Sequence, residues 1–230
     1  MRVQRFGGIG DFGKFALLRH LMYGRHLSIC MYLSGTNDEM IDRKKHFNYL
    51  SRPDEFRHLA PDLFDQLADY VGDHCSVNDP LMALQLSRVL ENAVFLRHQV
   101  PAKTSHRSLW TEVLVNSVNG SNFVFLDPYN GIQGKRLTSR HVALAEIAAL
   151  RRKDRVLVVA HRQSGRKAEV KYLADRIKST GCDAVEIVRL RLVASCLYAI
   201  LDQDEAMAEA TASFVKKWGN WAKSYRFDGR

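Results

Sequence analysis

The chain alternates short apolar runs with segments in which apolar residues recur every three or four positions. Six apolar runs have the length of strands: 27–33, 93–96, 122–127, 156–160, 185–192 and 196–201. Six further segments have the apolar spacing of helices: 14–23, 61–71, 107–118, 139–150, 167–179 and 204–223. Strands and helices in alternation predict right-handed βαβ crossovers and a mostly parallel sheet.

Two of the predicted strands indicate how the sheet is covered and how it ends. Residues 156–160 are apolar throughout, as expected of a strand with helices on both faces. Residues 185–192 alternate, with Glu186 between apolar neighbours, and predict a half-buried strand. Because a short connection joins that strand to residues 196–201, the final two strands should pair antiparallel. The predicted fold is α/β and Rossmann-like, a twisted sheet with an antiparallel last strand, which is the usual ending of Rossmann-like methyltransferases.

The length of 230 residues fits a single α/β domain over residues 1–230. A polar stretch at about 43–90 is too long for a minimal crossover between two strands. It contains Ser51-Arg52-Pro53-Asp54, a sequence typical of the start of a helix. We therefore predict a small helical insertion there.

The composition supports neither a membrane protein nor a disulfide-stabilised protein. No apolar run approaches the roughly 20 residues that span a bilayer, and the N-terminal residues do not resemble a signal peptide. The four cysteines, Cys30, Cys75, Cys182 and Cys196, are widely spaced without a C-x-x-C pair, which favours reduced core thiols. We expect a cytoplasmic protein without a membrane partner.

The formal net charge of +9 is unevenly distributed. Residues 53–79 contain seven acidic residues and one arginine, a balance of −6, whereas residues 151–171 contain eight basic and two acidic residues, a balance of +6. A basic cluster beside a site suits a polyanion such as nucleic acid. The alternative is a solvated helix face in a generally basic protein.

The apolar run 123–126 ends abruptly at Asp127, which Pro128, Tyr129, Asn130 and Gly131 follow. Ligands of open α/β sheets bind beyond the carboxyl ends of parallel strands. An Asp-Pro turn, in which Asp caps the backbone and Pro fixes φ, is the structural alternative. That turn leaves the Tyr129-Asn130 pair unexplained, so this loop is a candidate site.

The segment Gly8–Gly13 has the pattern G-x-G-x-x-G and precedes Lys14 and a predicted helix. Glycines in such a loop let the backbone approach a phosphate at the N-terminus of a helix. Only residues 2–6 are available as the preceding strand, and Asp11 would repel a pyrophosphate. A glycine-rich turn that packs the N-terminus over the sheet is the alternative to dinucleotide binding.

His161 ends the predicted strand 156–160 and should lie at the same sheet edge as Asp127. Histidine transfers protons near neutral pH, although a histidine at a strand end can also be structural. Arg162, Arg166 and Lys167 follow it and favour an anionic substrate. An alternative is a metal-dependent nuclease or phosphoesterase that uses Asp11, Asp127 and His161, because carboxylates and imidazole are common metal ligands.

Several motifs together resemble an uncharacterised family of bacterial and phage-associated proteins. They are GDFGKFALLR at residues 10–19, FLDPYNG at 125–131 and VVAH at 158–161, and the resemblance spans nearly the whole chain. Members of that family commonly have Asp-Pro-Asp-Asn-Gly in the second motif. Tyr129 departs from that pattern, which argues against an acidic role at this position and brings the loop closer to that of amino-methyltransferases.

The order of the motifs along the chain is distantly similar to that in ribosomal RNA adenine-N6 methyltransferases, whose fourth strand ends in Asp-Pro-Pro-Tyr. The resemblance implies that S-adenosylmethionine is the cofactor and that the substrate is an amino group of nucleic acid. Asp127 and Asn130 would bind the amine and Tyr129 would stack on a flipped base. We further expect Gly10, Asp11, Lys14 and Gly35 to line the cofactor pocket, His161 to act in catalysis, and Arg162, Arg166 and Lys167 to bind phosphate.

This chain departs from those methyltransferases in two respects. It has one proline after Asp127 instead of two, and residues 33–37 (LSGTN) replace the glycine-bearing turn that holds the cofactor. A non-catalytic nucleic-acid-binding module therefore remains a further alternative.

Overall fold

A computed structural model describes residues 6–22, 24–33, 46–73, 88–96, 99–162, 169–192 and 196–229. The strands are β1 Leu27–Met31, β2 Ala93–Leu96, β3 Phe123–Asp127, β4 Gly131–Ile132, β5 His141–Val142, β6 Val156–Arg162, β7 Val185–Leu190, β8 Cys196–Leu201 and β9 Ala222–Phe227. The helices are α1 Ile9–Leu21, α2 Pro53–Phe56, α3 Pro61–Asp73, α4 Arg107–Ser117, α5 Leu144–Leu150, α6 Glu169–Lys178 and α7 Glu205–Trp218.

Seven strands form one mixed sheet in the order β2-β1-β3-β6-β8-β7-β9. The first four are mutually parallel, β8 is antiparallel to both β6 and β7, and β9 is antiparallel to β7. β4 and β5 form a separate parallel pair. The α/β class and the antiparallel pairing of β7 with β8 are confirmed. β8 lies inside the sheet, however, and is not the last strand of the chain.

The sheet separates two layers of helices, each with its own apolar core. α1, α2, α3 and α7 pack on one face, and α4, α5 and α6 pack on the other. Alternate residues of one strand enter the two cores, as the period of a strand requires. Val158 and Val159 of β6 are both fully buried, which confirms that this strand is covered on both faces.

The C-terminal part of the fold differs from the prediction in two ways. β7 is buried on both faces rather than half-buried, because Val188 and Leu190 enter one core while Val185 and Ile187 enter the other. Glu186 is buried as well and accepts a 3.0 Å hydrogen bond from Gln203. The predicted helix over residues 204–223 ends at Trp218, where Gly219 has a φ of +49°. Residues 222–227 form β9 instead, because they pair with the exposed edge of β7.

The glycine-rich segment is a helix and not a phosphate-binding loop. α1 begins at Ile9, so Gly10 and Gly13 are helical, although the sequence predicted a helix only from Lys14. At Gly13 a Cβ atom would lie 2.5 Å from Leu192 and 3.0 Å from Leu190. The glycine at position 13 therefore allows α1 to pack closely against the end of β7. The predicted strand 2–6 lies almost entirely outside the described residues.

Residues 46–73, inside the predicted insertion, are largely helical. Tyr49, Phe56, Leu63 and Leu67 are buried in the core that they share with α1. This segment lies between β1 and β2 in the chain, and it therefore forms part of the helical layer that contains α1. None of the helices in the described parts of the chain is long and apolar enough to cross a membrane.

The chain order reverses between β1 and β3 at one edge of the sheet. β1 is followed by β2 on one side, and β3 then pairs on the other side of β1. In open α/β sheets, the carboxyl ends of two strands related in this way form the usual binding crevice. Here those ends carry Tyr32, directly after β1, and Asp127.

Candidate functional site

A buried ion-pair cluster, formed by Asp11, Lys14 and Asp127, lies at the carboxyl end of β3. Lys14 Nζ is 2.8 Å from Asp11 Oδ1 and 2.9 Å from Asp127 Oδ2. The i, i+3 spacing brings Asp11 and Lys14 to one face of α1, and β3 delivers Asp127 from the sheet. The structure thus brings together two residues predicted for the cofactor and one predicted for catalysis.

The charges of this cluster stabilise one another against burial. Burial alone would lower the pKa of Lys14, but the two carboxylates outweigh it and raise the pKa above its usual value. Burial would likewise raise the pKa of Asp127, but Lys14 holds it below its usual value. The three side chains, two carboxylates and one ammonium, have a formal charge of −1, and the N-terminal ammonium also lowers the pKa of Asp127.

Asp11 contributes an acceptor that the fold does not satisfy. Its Oδ2 atom is buried and has no hydrogen-bond partner among the described residues, while Oδ1 binds Lys14. Unsatisfied buried acceptors are rare, because they lose hydration without gaining a protein donor. This oxygen is therefore a candidate acceptor for a donor group of a ligand that displaces the atoms covering it. Gly10, which the sequence predicts to line the cofactor pocket, precedes Asp11 in α1 and is exposed.

Tyr129 lies next to two arginines. The guanidinium carbons of Arg140 and Arg162 are 5.1 and 5.5 Å from the centre of its ring, within the range of cation–π contacts. The N–H of Asn130 donates to Arg140 O at 2.9 Å, which ties the loop after β3 to the start of β5. The loop therefore combines an aromatic face, an amide and positive charge at the carboxyl edge.

The His161 side chain connects this loop to α6. Its Nδ1 atom accepts a 3.1 Å hydrogen bond from the Ile132 N–H, and its Nε2 atom is 3.5 Å from Glu169 Oε1. Burial lowers the pKa of His161 despite the opposing effect of Glu169. Both ring nitrogens thus have partners, and the predicted proton-transfer role would require one of these contacts to break.

Gly131 is required by this arrangement. Its φ is +96°, a conformation that other residues rarely adopt. A Cβ atom here would lie 2.9 Å from His161 Cα and closer still to His161 Nδ1. The close approach lets the loop after β3 lie against the end of β6.

The geometry does not support a metal site formed by Asp11, Asp127 and His161. Asp11 and Asp127 do converge, but the ammonium of Lys14 lies between them, and His161 is directed to Ile132 and Glu169. No group of three or more His, Cys, Asp or Glu residues in the described chain could hold a metal ion.

The basic cluster of residues 151–171 is divided between opposite edges of the sheet. Arg151 pairs with Asp202, and the buried Arg155 donates to three backbone carbonyls, so both are structural. They lie at the start of β6, whereas Arg162 lies at its carboxyl end. Gly35, Arg166 and Lys167, which the sequence also predicts as site residues, are outside the described residues.

Sequence reasoning missed a second buried network on the opposite face of the same edge. Arg107 Nε donates to Glu146 Oε1 at 2.6 Å, and Tyr32 OH donates to Glu146 Oε2 at 2.9 Å. Burial raises the pKa of Glu146, although Arg107 opposes the shift. Arg107 and Glu146 are 39 residues apart, and no local pattern relates them.

Comparison of the chain with protein-family models and with curated protein sequences finds no match. The interpretation of the site therefore depends on its geometry.

Proposed function

We propose that the protein is an S-adenosylmethionine-dependent methyltransferase that acts on an amino group of nucleic acid. The main support is the position of Asp127-Pro128-Tyr129-Asn130 at the carboxyl end of β3, beside the point where the strand order reverses between β1 and β3. The location of the antiparallel β8 between β6 and β7, which run parallel to each other, also favours a sheet of the methyltransferase kind.

The buried cluster suits this cofactor. S-adenosylmethionine supplies an activated methyl group on a sulfonium when it is bound. The carboxylates of Asp11 and Asp127 suit a cationic ligand, and Asp11 Oδ2, which is unsatisfied among the described residues, would accept a hydrogen bond from an ammonium or a ribose hydroxyl. The same carboxylates disfavour the pyrophosphate of a dinucleotide.

The loop after β3 suits an amino group attached to an aromatic base. Lys14 occupies Oδ2 of Asp127, and none of the hydrogen bonds among the described residues uses Oδ1. That oxygen and the amide of Asn130 would accept hydrogen bonds from the amine and hold its lone pair toward the cofactor. Tyr129 would stack on the base, while Arg140 and Arg162 would bind the flanking phosphates.

Calorimetric titration with S-adenosylmethionine and S-adenosylhomocysteine tests the cofactor assignment. Micromolar binding of either is expected. If the folded protein binds neither, the proposal is wrong. Nucleic-acid binding that survives in that case, and that weakens steeply with salt, would instead favour the non-catalytic module.

Asp127→Asn tests the role of the carboxylate in methyl transfer. The substitution preserves the shape of the side chain but removes one of the two charges that pair with the buried Lys14. The folding and the cofactor binding of the variant are therefore measured first, and activity is compared per folded protein. Transfer of tritiated methyl groups to bulk RNA or denatured DNA should fall at least about 100-fold, since the amine loses its charged acceptor. Asp154→Asn removes the same charge from an exposed ion pair with Arg152 and serves as the control. Full activity of Asp127→Asn would contradict the assignment.

A further inference from the structure

A second tyrosine–arginine pair lies on α6, outside the site described above. Tyr172 is 53% exposed, the largest exposure of an aromatic side chain in the described chain. Arg176, one turn later, places its guanidinium 5.6 Å from the centre of the Tyr172 ring and donates a 3.2 Å hydrogen bond to the hydroxyl. The ring is thus held at the surface by a cation, with area left for another planar group.

Two contacts join this pair to the loop after β3. Arg176 Nη2 donates to Gly134 O at 3.5 Å, two residues beyond β4. Glu169, one turn before Tyr172, lies opposite His161, which in turn binds the Ile132 N–H. Arg176, which holds Tyr172, therefore contacts the segment that follows Tyr129 and includes β4.

Exposed basic residues lie on the two segments that adjoin these tyrosines. Residues 133–140 connect β4 to β5 and contain the exposed Lys135 and Arg136. Lys171, also exposed, precedes Tyr172 on α6, and Asp175 is the exposed acidic residue on the same helix. Positive charge interleaved with aromatic rings is the combination that binds single-stranded nucleic acid, because cations follow the phosphates and rings stack on unpaired bases.

We propose that Tyr172 and Arg176 form a second subsite, which stacks on an unpaired base of single-stranded nucleic acid near the nucleotide bound at Tyr129. The inference rests on the proposed function, since it assumes that the substrate is nucleic acid. It adds the requirement for a single strand, because the faces of bases in a duplex are covered by their neighbours.

Fluorescence anisotropy with labelled single-stranded DNA and RNA oligonucleotides of mixed sequence tests the subsite. Tyr172→Ala should weaken binding about tenfold, the loss expected for one base–aromatic stack. Tyr172→Trp should retain the affinity, because indole also stacks. A labelled duplex should bind more weakly than the single strands and respond little to Tyr172→Ala. The comparison of DNA with RNA identifies the preferred strand.

Val94→Ala is the control, because Val94 is 58% exposed on β2, three strands away from β6. Unchanged affinity of a folded Tyr172→Ala variant would overturn the subsite while leaving the proposed function in place. If the wild-type protein binds S-adenosylmethionine but no oligonucleotide at low salt, both the subsite and the nucleic-acid substrate are wrong. Loss of cofactor binding in Tyr172→Ala would also contradict a role confined to the substrate.

Discussion

At the scale of single residues, Lys14 has the most demanding environment in the candidate site. Its ammonium is buried between two carboxylates, and such a pair is stable only if every charge keeps its partner. The lowered pKa of Asp127 gives stability that is present above pH 3.8 and lost as the pH falls through the folded value. The raised pKa of Lys14 gives stability that is present below pH 10.5 and lost at higher pH.

Gly131 provides a prediction at the same scale. Gly131→Ala should lower the free energy of unfolding by about 2–4 kcal/mol, because the new methyl group meets His161 and the backbone has a positive φ. Gly134→Ala, a few residues along, has open space around its Cβ and should change it by less than about 1 kcal/mol. Urea unfolding measures both variants, and equal stabilities would contradict the requirement for glycine.

At the scale of elements, the ion pair between Arg107 and Glu146 joins α4 to α5. The side chains are 7% and 1% exposed, and Glu146 also accepts from the N–H of Ala143, just before α5. The position of α5 therefore depends on a polar contact inside an apolar layer. This contact also fixes Tyr32, whose N–H donates to Asp127 O at 3.3 Å.

Glu146→Ala should destabilise the protein by about 3–5 kcal/mol, because it leaves the Arg107 guanidinium buried without its partner. Glu112→Ala removes an exposed carboxylate from α4 and should change the free energy of unfolding by less than about 0.5 kcal/mol. The double variant Arg107→Met with Glu146→Leu should recover much of the loss, since no charge remains buried. Chemical denaturation of the three variants tests this, and a loss below about 1 kcal/mol for Glu146→Ala would refute it.

At the scale of the whole molecule, three buried or half-buried histidines couple folding to pH. Burial is the largest cause of the lowered pKa of His20, His141 and His161. Below the ordinary value of 6.5 the unfolded chain therefore binds more protons than the folded one. The stability that these rings contribute above pH 6.5 is lost as the pH falls through their folded values.

We predict that the free energy of unfolding decreases between about pH 7 and pH 5, by up to about 1.4 kcal/mol per pH unit for each proton taken up. His161→Asn should show a shallower decrease, because the amide oxygen can replace Nδ1 but does not titrate. His58→Asn, at an exposed position, should retain the wild-type slope. Glu146 has a raised pKa, so its protonation stabilises the folded protein as the pH falls towards 4.5. This contribution is the same in the wild type and in both variants. Parallel curves for His161→Asn and wild type would exclude the coupling.

The sequence predicted those elements whose signal is local. β3, β6 and β8 are continuous apolar runs, and α4 and α6 have the apolar period of a helix over nearly their whole length. It also placed Asp127 and His161 at one edge, because parallel strands present their carboxyl ends together. The sequence did not predict β9, because residues 222–227 form a strand only by pairing with β7. The predicted start of α1, Lys14, is later than its observed start, Ile9, because the glycines before Lys14 suggested a loop.

The sequence by itself determined the α/β class, the antiparallel pairing of β7 with β8 and the candidate loop at Asp127. The first follows from short-range periodicity, the second from the short connection between the two strands, and the third from the break in an apolar run. The tertiary structure alone decided that Lys14 pairs with Asp127 and that Arg107 pairs with Glu146. It also showed that both nitrogens of His161 have partners. Apart from the contact between His161 and Glu169, these contacts join residues from 29 to 113 positions apart. Only the packing of strands and helices brings such distant residues together.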